Sequence, residues 1–255
     1  SGTELKSSWE NMGSVNELQA LARSSNVYMF YIAMRMAGTV YTYDGSLYVQ
    51  SGTFDLMRNY YSLFGLGILT GIDLPNESIG YTGISQTGGL ILDYAIGQYD
   101  TYTTLQLSQY IATIANDGVK LRPRIVTAAY EPGTKIKVYE NEVEVLNVAD
   151  NYEAIQRVQQ GFWDCVNTTY GICYGYGELK TQIAAKTGTA EATVVVDGES
   201  IDAPHNSVVA YAPYDEPTIS VACLIPNAWN GGETQSNLCL SITNQVLEAY
   251  LTGNY

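Results

Sequence analysis

The sequence has 255 residues and a mass of 27.9 kDa, enough for one large domain or two small ones around a sizeable core. Lys and Arg total 12 against 26 Asp and Glu, a formal net charge of -14, which argues against a partner read through a phosphate backbone. Apolar residues make up 46% and charged ones 15%, a balance that excludes a disordered tail. The longest apolar stretch, Val27 to Ala37, is cut by Arg35 and falls short of the ~18 residues of a spanning helix. Ser1 to Ser8 carry no basic start leading into an apolar run, so any targeting element is expected outside the chain.

Ser14-Val15-Asn16-Glu17 reads as a capping box, and apolar residues from Leu18 to Met36 at helical spacing predict one helix ending at Gly38. A second helix is expected from about Phe54 to Leu66, followed by loop at Asp73 to Asn76 and mostly loop from Ile79 to Gly97. Thr103-Thr104-Leu105-Gln106 is another capping box and opens a helix that stops at Gly118. Past Pro123 the texture turns to strand-like runs at Arg124 to Tyr130 and Lys135 to Tyr139, then a cap at Asp150 to Glu153 opens a helix reaching about Asn167. Three further runs, Gln182 to Val196, Asn206 to Ala212 and Thr218 to Ile225, predict an antiparallel meander. The last expected helix, Gln235 to Leu251, sets Leu238, Ile242, Val246 and Leu251 on one face to cover that sheet. The organisation is a mainly helical part over 1–120 and a sheet-and-helix part over 121–255, an α+β class.

Cysteines at 165, 173, 223 and 239 lack paired C-x-x-C spacing. Free thiols, one or two disulfides in an oxidising compartment, and a zinc site joining some of them to His205, the only histidine, all stay open. Lys186-Thr187-Gly188-Thr189 follows the apolar Ile183-Ala184-Ala185 and belongs to a strand or its mouth. A small-residue strand edge lets an extended substrate lie alongside, with the lysine supplying positive potential and hydroxyls binding a carboxylate. Ser24-Ser25-Asn26 interrupts a helical pattern with residues of poor helix propensity.

In order and surroundings these triplets match a known pattern, through Leu18 to Phe30 (LQALARSSNVYMF), Gly65 to Pro75 (GLGILTGIDLP), Gly97 to Gly118 (GQYDTYTTLQLSQYIATIANDG) and Ala184 to Glu191 (AAKTGTAE). Over nearly its whole length the chain resembles the transpeptidase domain of class B penicillin-binding proteins. The resemblance implies an antiparallel sheet flanked by helices with an all-helical subdomain. It also implies peptidoglycan D,D-transpeptidase activity on D-Ala-D-Ala stem peptides through an acyl-enzyme. β-Lactam binding, no cofactor, and a place on the extracytoplasmic face of the bacterial membrane follow from the same likeness.

Carried over residue by residue, Ser24 relays a proton, Asn26 holds the substrate amide and the lysine of the nucleophile's motif, and Lys186 orients Ser24. Thr187 and Thr189 bind the terminal carboxylate beside Gly188, and the backbone N-H of Thr189 joins the oxyanion hole. The family's nucleophile is a serine three residues before a lysine. None of the six lysines has one, the preceding residues being Thr3, Asp117, Pro132, Thr134, Gly177 and Ile183. The nucleophile and its lysine are therefore expected upstream, with the fold incomplete on its N-terminal side. An upstream part of the same protein or a companion chain is expected to cover an unpaired sheet edge, and any membrane contact to come from an anchor beyond this chain. The rival readings are a D,D-carboxypeptidase or β-lactamase of the same superfamily, and a non-catalytic β-lactam sensor or scaffold.

Overall fold

The computed structural model describes residues 5–231 and 237–254. Its first helix, α1, spans Glu17–Ala22 and is capped by Asn16, whose side chain accepts from the Gln19 N-H at 2.9 Å while Gln19 returns the bond at 3.2 Å. The capping box thus lies two residues beyond the expected Ser14, because Asn and Gln serve the same two bonds as Ser and Glu. The long helix predicted through Gly38 is broken. Ser24 sits in the left-handed region at φ 53°, Ser25 caps a new helix, and α2 runs over Asn26–Met36. Polar residues that compete with the helix backbone decide the break, although the apolar period runs straight through it.

Helix α3 covers Thr53–Leu63, and α4, Leu90–Ala95, occupies a stretch expected to be loop. Its signal is short, but it buries Ile91 and Tyr94 against Phe54 and Met57. Helix α5, Thr104–Ala115, has the expected Thr103–Gln106 box with both bonds made. Two small ribbons follow: β1 (Val119–Leu121) with β4 (Val145–Val148), and β2 (Ala128–Tyr130) with β3 (Lys137–Glu140). Helix α6, Tyr152–Asn167, is capped by Asn151, and a 3-10 turn at Gly177–Gln182 leads into β5, Ala184–Ala190.

The run expected from Gln182 to Val196 is split after Ala190, and β6 (Thr193–Val196) folds back on β7 (Glu199–Asp202). Asp197 and Gly198, both at positive φ, make the tight turn this hairpin needs. Strands β8, His205–Ala212, and β9, Ile219–Ile225, complete an antiparallel sheet in the order β5-β8-β9. The final helix, α7, spans Leu238–Thr252; the expected start at Gln235 lies outside the described residues.

Alternation along β8 builds both faces of the sheet. Val208, Ala210 and Ala212 pack with Cys239, Leu240 and Leu247 of α7, while Val209 and Tyr211 pack with Ile111 and Ile114 of α5. Helix α6 lies against β5 and sends Phe162 to one cluster and Cys165 and Val166 to the other. The fold is α+β, with helices on both faces of an antiparallel sheet.

The face assigned to the last helix is corrected. Cys239, Leu240, Thr243 and Leu247 are the buried residues, and Leu238, Ile242 and Val246 are about two-fifths exposed; Leu251 does pack on the core. One residue along a helix turns the side chain by about 100°, and the Cys223–Cys239 disulfide fixes which residue faces β9.

Candidate active site

Strand β5 sits at the sheet edge, paired with β8 in continuous register from Ala184↔Tyr211 to Ala190↔His205. Lys186, Thr187, Gly188 and Thr189 stand opposite Val209, Val208, Ser207 and Asn206. The pleat directs Lys186 and Gly188 to one face and Thr187 and Thr189 to the other. At Gly188 a Cβ would lie 2.5 Å from Ser207 Oγ across the ladder, with Ser207 Cβ next at 3.9 Å.

The turn between α1 and α2 brings Ser24 to this strand. Lys186 Nζ donates to Ser24 Oγ at 2.8 Å and to the Thr187 carbonyl at 2.7 Å. The side chain is half-buried, and burial pushes the ammonium down from its ordinary 10.5 to about 8. Asn26, the first residue of α2, is on the same turn, but its Nδ2 donates to the Ser7 carbonyl at 3.3 Å. The structure therefore joins Ser24 to Lys186 directly, keeps Thr187, Gly188 and Thr189 beside them on β5, and ties Asn26 to Ser7.

Several contributors have no local signal in the sequence. Ser8 Oγ accepts from the Val27 N-H at 3.1 Å and Ser7 holds Asn26, so the segment before α1 covers the start of α2. A cavity of about 470 Å³ opens there, lined by Ser7, Ser8, Ser25, Val27, Tyr28 and Tyr31, on the Ser25 side of the turn. A second, of about 480 Å³, lies between α5 and the start of β9, away from Lys186. The positive φ of Ser24 could be anticipated only from the Ser-Ser-Asn run itself.

All four cysteines are paired, Cys165 with Cys173 and Cys223 with Cys239, and no cluster of three or more His, Cys, Asp or Glu suited to a metal occurs among the described residues. His205 Nδ1 instead accepts from the Asn227 N-H at 3.0 Å, tying the start of β8 to the turn after β9. Among the described residues no helix is long and apolar enough to cross a membrane.

Residues 2–248 match the family described as "Penicillin binding protein transpeptidase domain". The chain is 43% identical over 236 residues to Penicillin-binding protein H of Bacillus subtilis, covering 89% of this chain and 33% of that protein. It is 39% identical over 254 residues to Penicillin-binding protein 2A of the same organism, covering 96% of this chain and 35% of the relative. The solved structure of penicillin-binding protein 2B from Streptococcus pneumoniae strain R6 superposes with a TM-score of 0.86 at 32% identity, over 99% of this chain and 42% of that one. The chain thus spans about a third of the length of these curated relatives. With the match running through both the Ser24 turn and the Lys186 strand, the chain belongs to the penicillin-binding-protein transpeptidase domain family.

Proposed function

We propose that this chain supplies the lysine strand and the Ser-x-Asn turn of a serine-type peptidoglycan D,D-transpeptidase. The observation that carries the reading is the 2.8 Å bond from Lys186 to Ser24, which couples a hydroxyl able to pass a proton to a cation on a strand whose outer edge is unpaired among the described residues. A stem peptide ending in D-Ala-D-Ala lies extended along β5, its terminal carboxylate on Thr187 and Thr189 and within the field of Lys186. Asn26 swings from Ser7 to hold the substrate amide.

The nucleophile is a serine outside these 255 residues, since no lysine here has a serine three positions before it. Its Oγ, deprotonated by the lysine of its own motif, bonds to the carbonyl carbon of the penultimate D-Ala. The oxyanion is received by the Thr189 N-H and the N-H of that serine. The C-N bond then breaks, and the leaving D-Ala nitrogen takes its proton by way of Ser24 Oγ. An amine from a neighbouring stem attacks the resulting ester, forms the cross-link and frees the serine. β-Lactams, which mimic the D-Ala-D-Ala end, stop the cycle at the ester.

Two uncovered surfaces support a completing segment from the same protein or a companion chain. The outer edge of β9 has no strand partner among the described residues, and α7 presents Leu238, Ile242 and Val246 to solvent. The reading places the domain outside the cytoplasmic membrane, where stem peptides are, held by an anchor beyond this chain.

The test is intact-mass analysis of the full-length protein after exposure to benzylpenicillin, with the adduct mapped. A stable adduct on a serine outside the chain is expected. An adduct on one of the 255 residues overturns the account of the nucleophile, rapid release as penicilloate points to a β-lactamase, and no adduct points to a scaffold.

A further inference from the structure

Helix α6 touches both halves of the site. Gly161 lies under Leu21 of α1, so close that a Cβ would sit 2.7 Å from Leu21 Cδ1, and the Trp163 indole N-H donates to Thr181 just ahead of β5 at 3.0 Å. Past its C-terminus the chain doubles back. The Cys173 N-H donates to the Cys165 carbonyl at 2.9 Å, the two cysteines are bridged, and Gly171 is pressed so hard on the helix end that a Cβ would lie 2.3 Å from the Cys165 oxygen.

This closed loop contacts the backbone just ahead of each motif. The Ile172 N-H donates to the Ala22 carbonyl at 3.1 Å, two residues before Ser24. Cys173 Sγ lies 3.5 Å from the Ala185 carbonyl, one residue before Lys186. A disulfide sulfur carries no proton, so the second is a packing contact and not a hydrogen bond. Ala22, Cys165, Cys173 and Ala185 are all wholly buried in one cluster, so neither contact has slack to take up.

We infer that the loop closed by the Cys165–Cys173 bridge is a positioning brace that sets the spacing of Ser24 and Lys186. It rests on the transpeptidase reading for its consequence in catalysis, though not for its geometry. Ser24 and Lys186 are 162 positions apart in sequence, and each belongs to a segment with few means of holding the other. Among the described residues β5 has a strand partner, β8, on one side only, and α1 is a helix of six residues, so both lean on α6. The brace anchors both backbones to the same end of α6 immediately before they deliver their side chains. A misplacement of about 1 Å between such groups can cost about 10²-fold in rate.

The experiment compares full-length wild-type protein with C165A/C173A, C165A/C173V and C223A/C239A by hydrogen-deuterium exchange and by benzylpenicillin acylation across pH. Opening the first bridge is expected to speed exchange about tenfold at residues 21–27 and 185–189, and to slow acylation tenfold or more. The alkaline limb of the acylation profile should also move upward as Lys186 becomes solvated, a change that lost stability alone does not produce. C165A/C173V, which restores most of the buried volume without the bond and guards against collapse of the alanine pair, should behave like it. C223A/C239A, whose bridge ties β9 to α7, should lower Tm and leave exchange at 21–27 as in wild type. Unchanged exchange at both segments in C165A/C173A overturns the brace, and so does wild-type exchange in C165A/C173V. If the wild-type protein forms no adduct, the transpeptidase reading fails separately, and the exchange comparison still decides the brace.

Discussion

Lys186 Nζ donates to Ser24 Oγ at 2.8 Å and, with a second proton, to the carbonyl of Thr187 at 2.7 Å, so the lysine clamps the Ser-x-Asn turn to its own strand. Replacing either residue removes the clamp. Ser24→Ala in the full-length protein should slow β-lactam acylation by about 10²-fold or more, the usual worth of a positioned proton-transfer group. Stopped-flow acylation together with a melting curve checks this; a rate equal to wild type would remove Ser24 from the proton path.

The pH dependence follows from burial of the same lysine, which lowers its pKa to about 8. Below that value Lys186 is charged and, on the proposed reading, draws the substrate carboxylate; as pH rises through about 8 the charge is lost. Capture of β-lactam should therefore weaken above pH 8, and Lys186→Arg, which keeps its charge, should lack that limb. Stability runs the other way. The unfolded lysine holds its proton up to about 10.5, so between 8 and 10.5 the folded state binds fewer protons and gains stability as pH rises. Acylation rates and urea midpoints over pH 7 to about 10 separate the two trends.

The helical part is pinned by a buried ion pair. Asp100, 6% exposed, accepts from Arg58 Nε at 2.9 Å, from its Nη2 at 3.1 Å and from the Gly83 N-H at 2.8 Å. Burial raises the Asp100 pKa, but the bonds from Arg58 and Gly83 outweigh it and hold the group below its ordinary 3.8. Asp100→Ala should cost about 2 kcal/mol in urea unfolding, since it removes two charge-assisted bonds from a guanidinium packed on Phe54 and Tyr94 and leaves it the Gly83 carbonyl and Asp55. The pair's contribution is complete above pH 3.8 and should fade as pH falls through the lower folded value.

Gly188 and Ser207 form a tight cross-strand pair. Gly188→Ala sets a methyl 2.5 Å from Ser207 Oγ and should lower stability by about 1–3 kcal/mol. Ser207→Ala removes the obstructing oxygen, so the double variant should recover about 1 kcal/mol relative to the sum of the singles. Thermal unfolding of all four proteins closes the cycle, and strict additivity would show that β5 simply shifts to make room.

Much of the frame could be read from local patterns. The Thr103–Gln106 box, the Asn151 cap and the runs that become β8 and β9 each announce themselves within a few residues. What stayed hidden depends on distant contacts. Helix α4 exists because Ile91 and Tyr94 find Phe54; the buried face of α7 is chosen by Cys223, and four cysteines allow three pairings that spacing does not rank. The Ser24–Lys186 contact spans 162 positions, beyond any periodicity, and was legible only through likeness to a family. The break at Ser24 was masked because apolar residues on both sides keep helical phase across it.

That break also restricts which amino acid can stand at position 24. With φ at 53°, the backbone there suits glycine, whereas the bond to Lys186 requires a hydroxyl. Threonine offers the same hydroxyl but is β-branched, a shape that tolerates positive φ badly. Of the two aliphatic alcohols among the amino acids, the turn thus accepts only the smaller, and selection for stability at this position would pull toward a residue that has no oxygen to give.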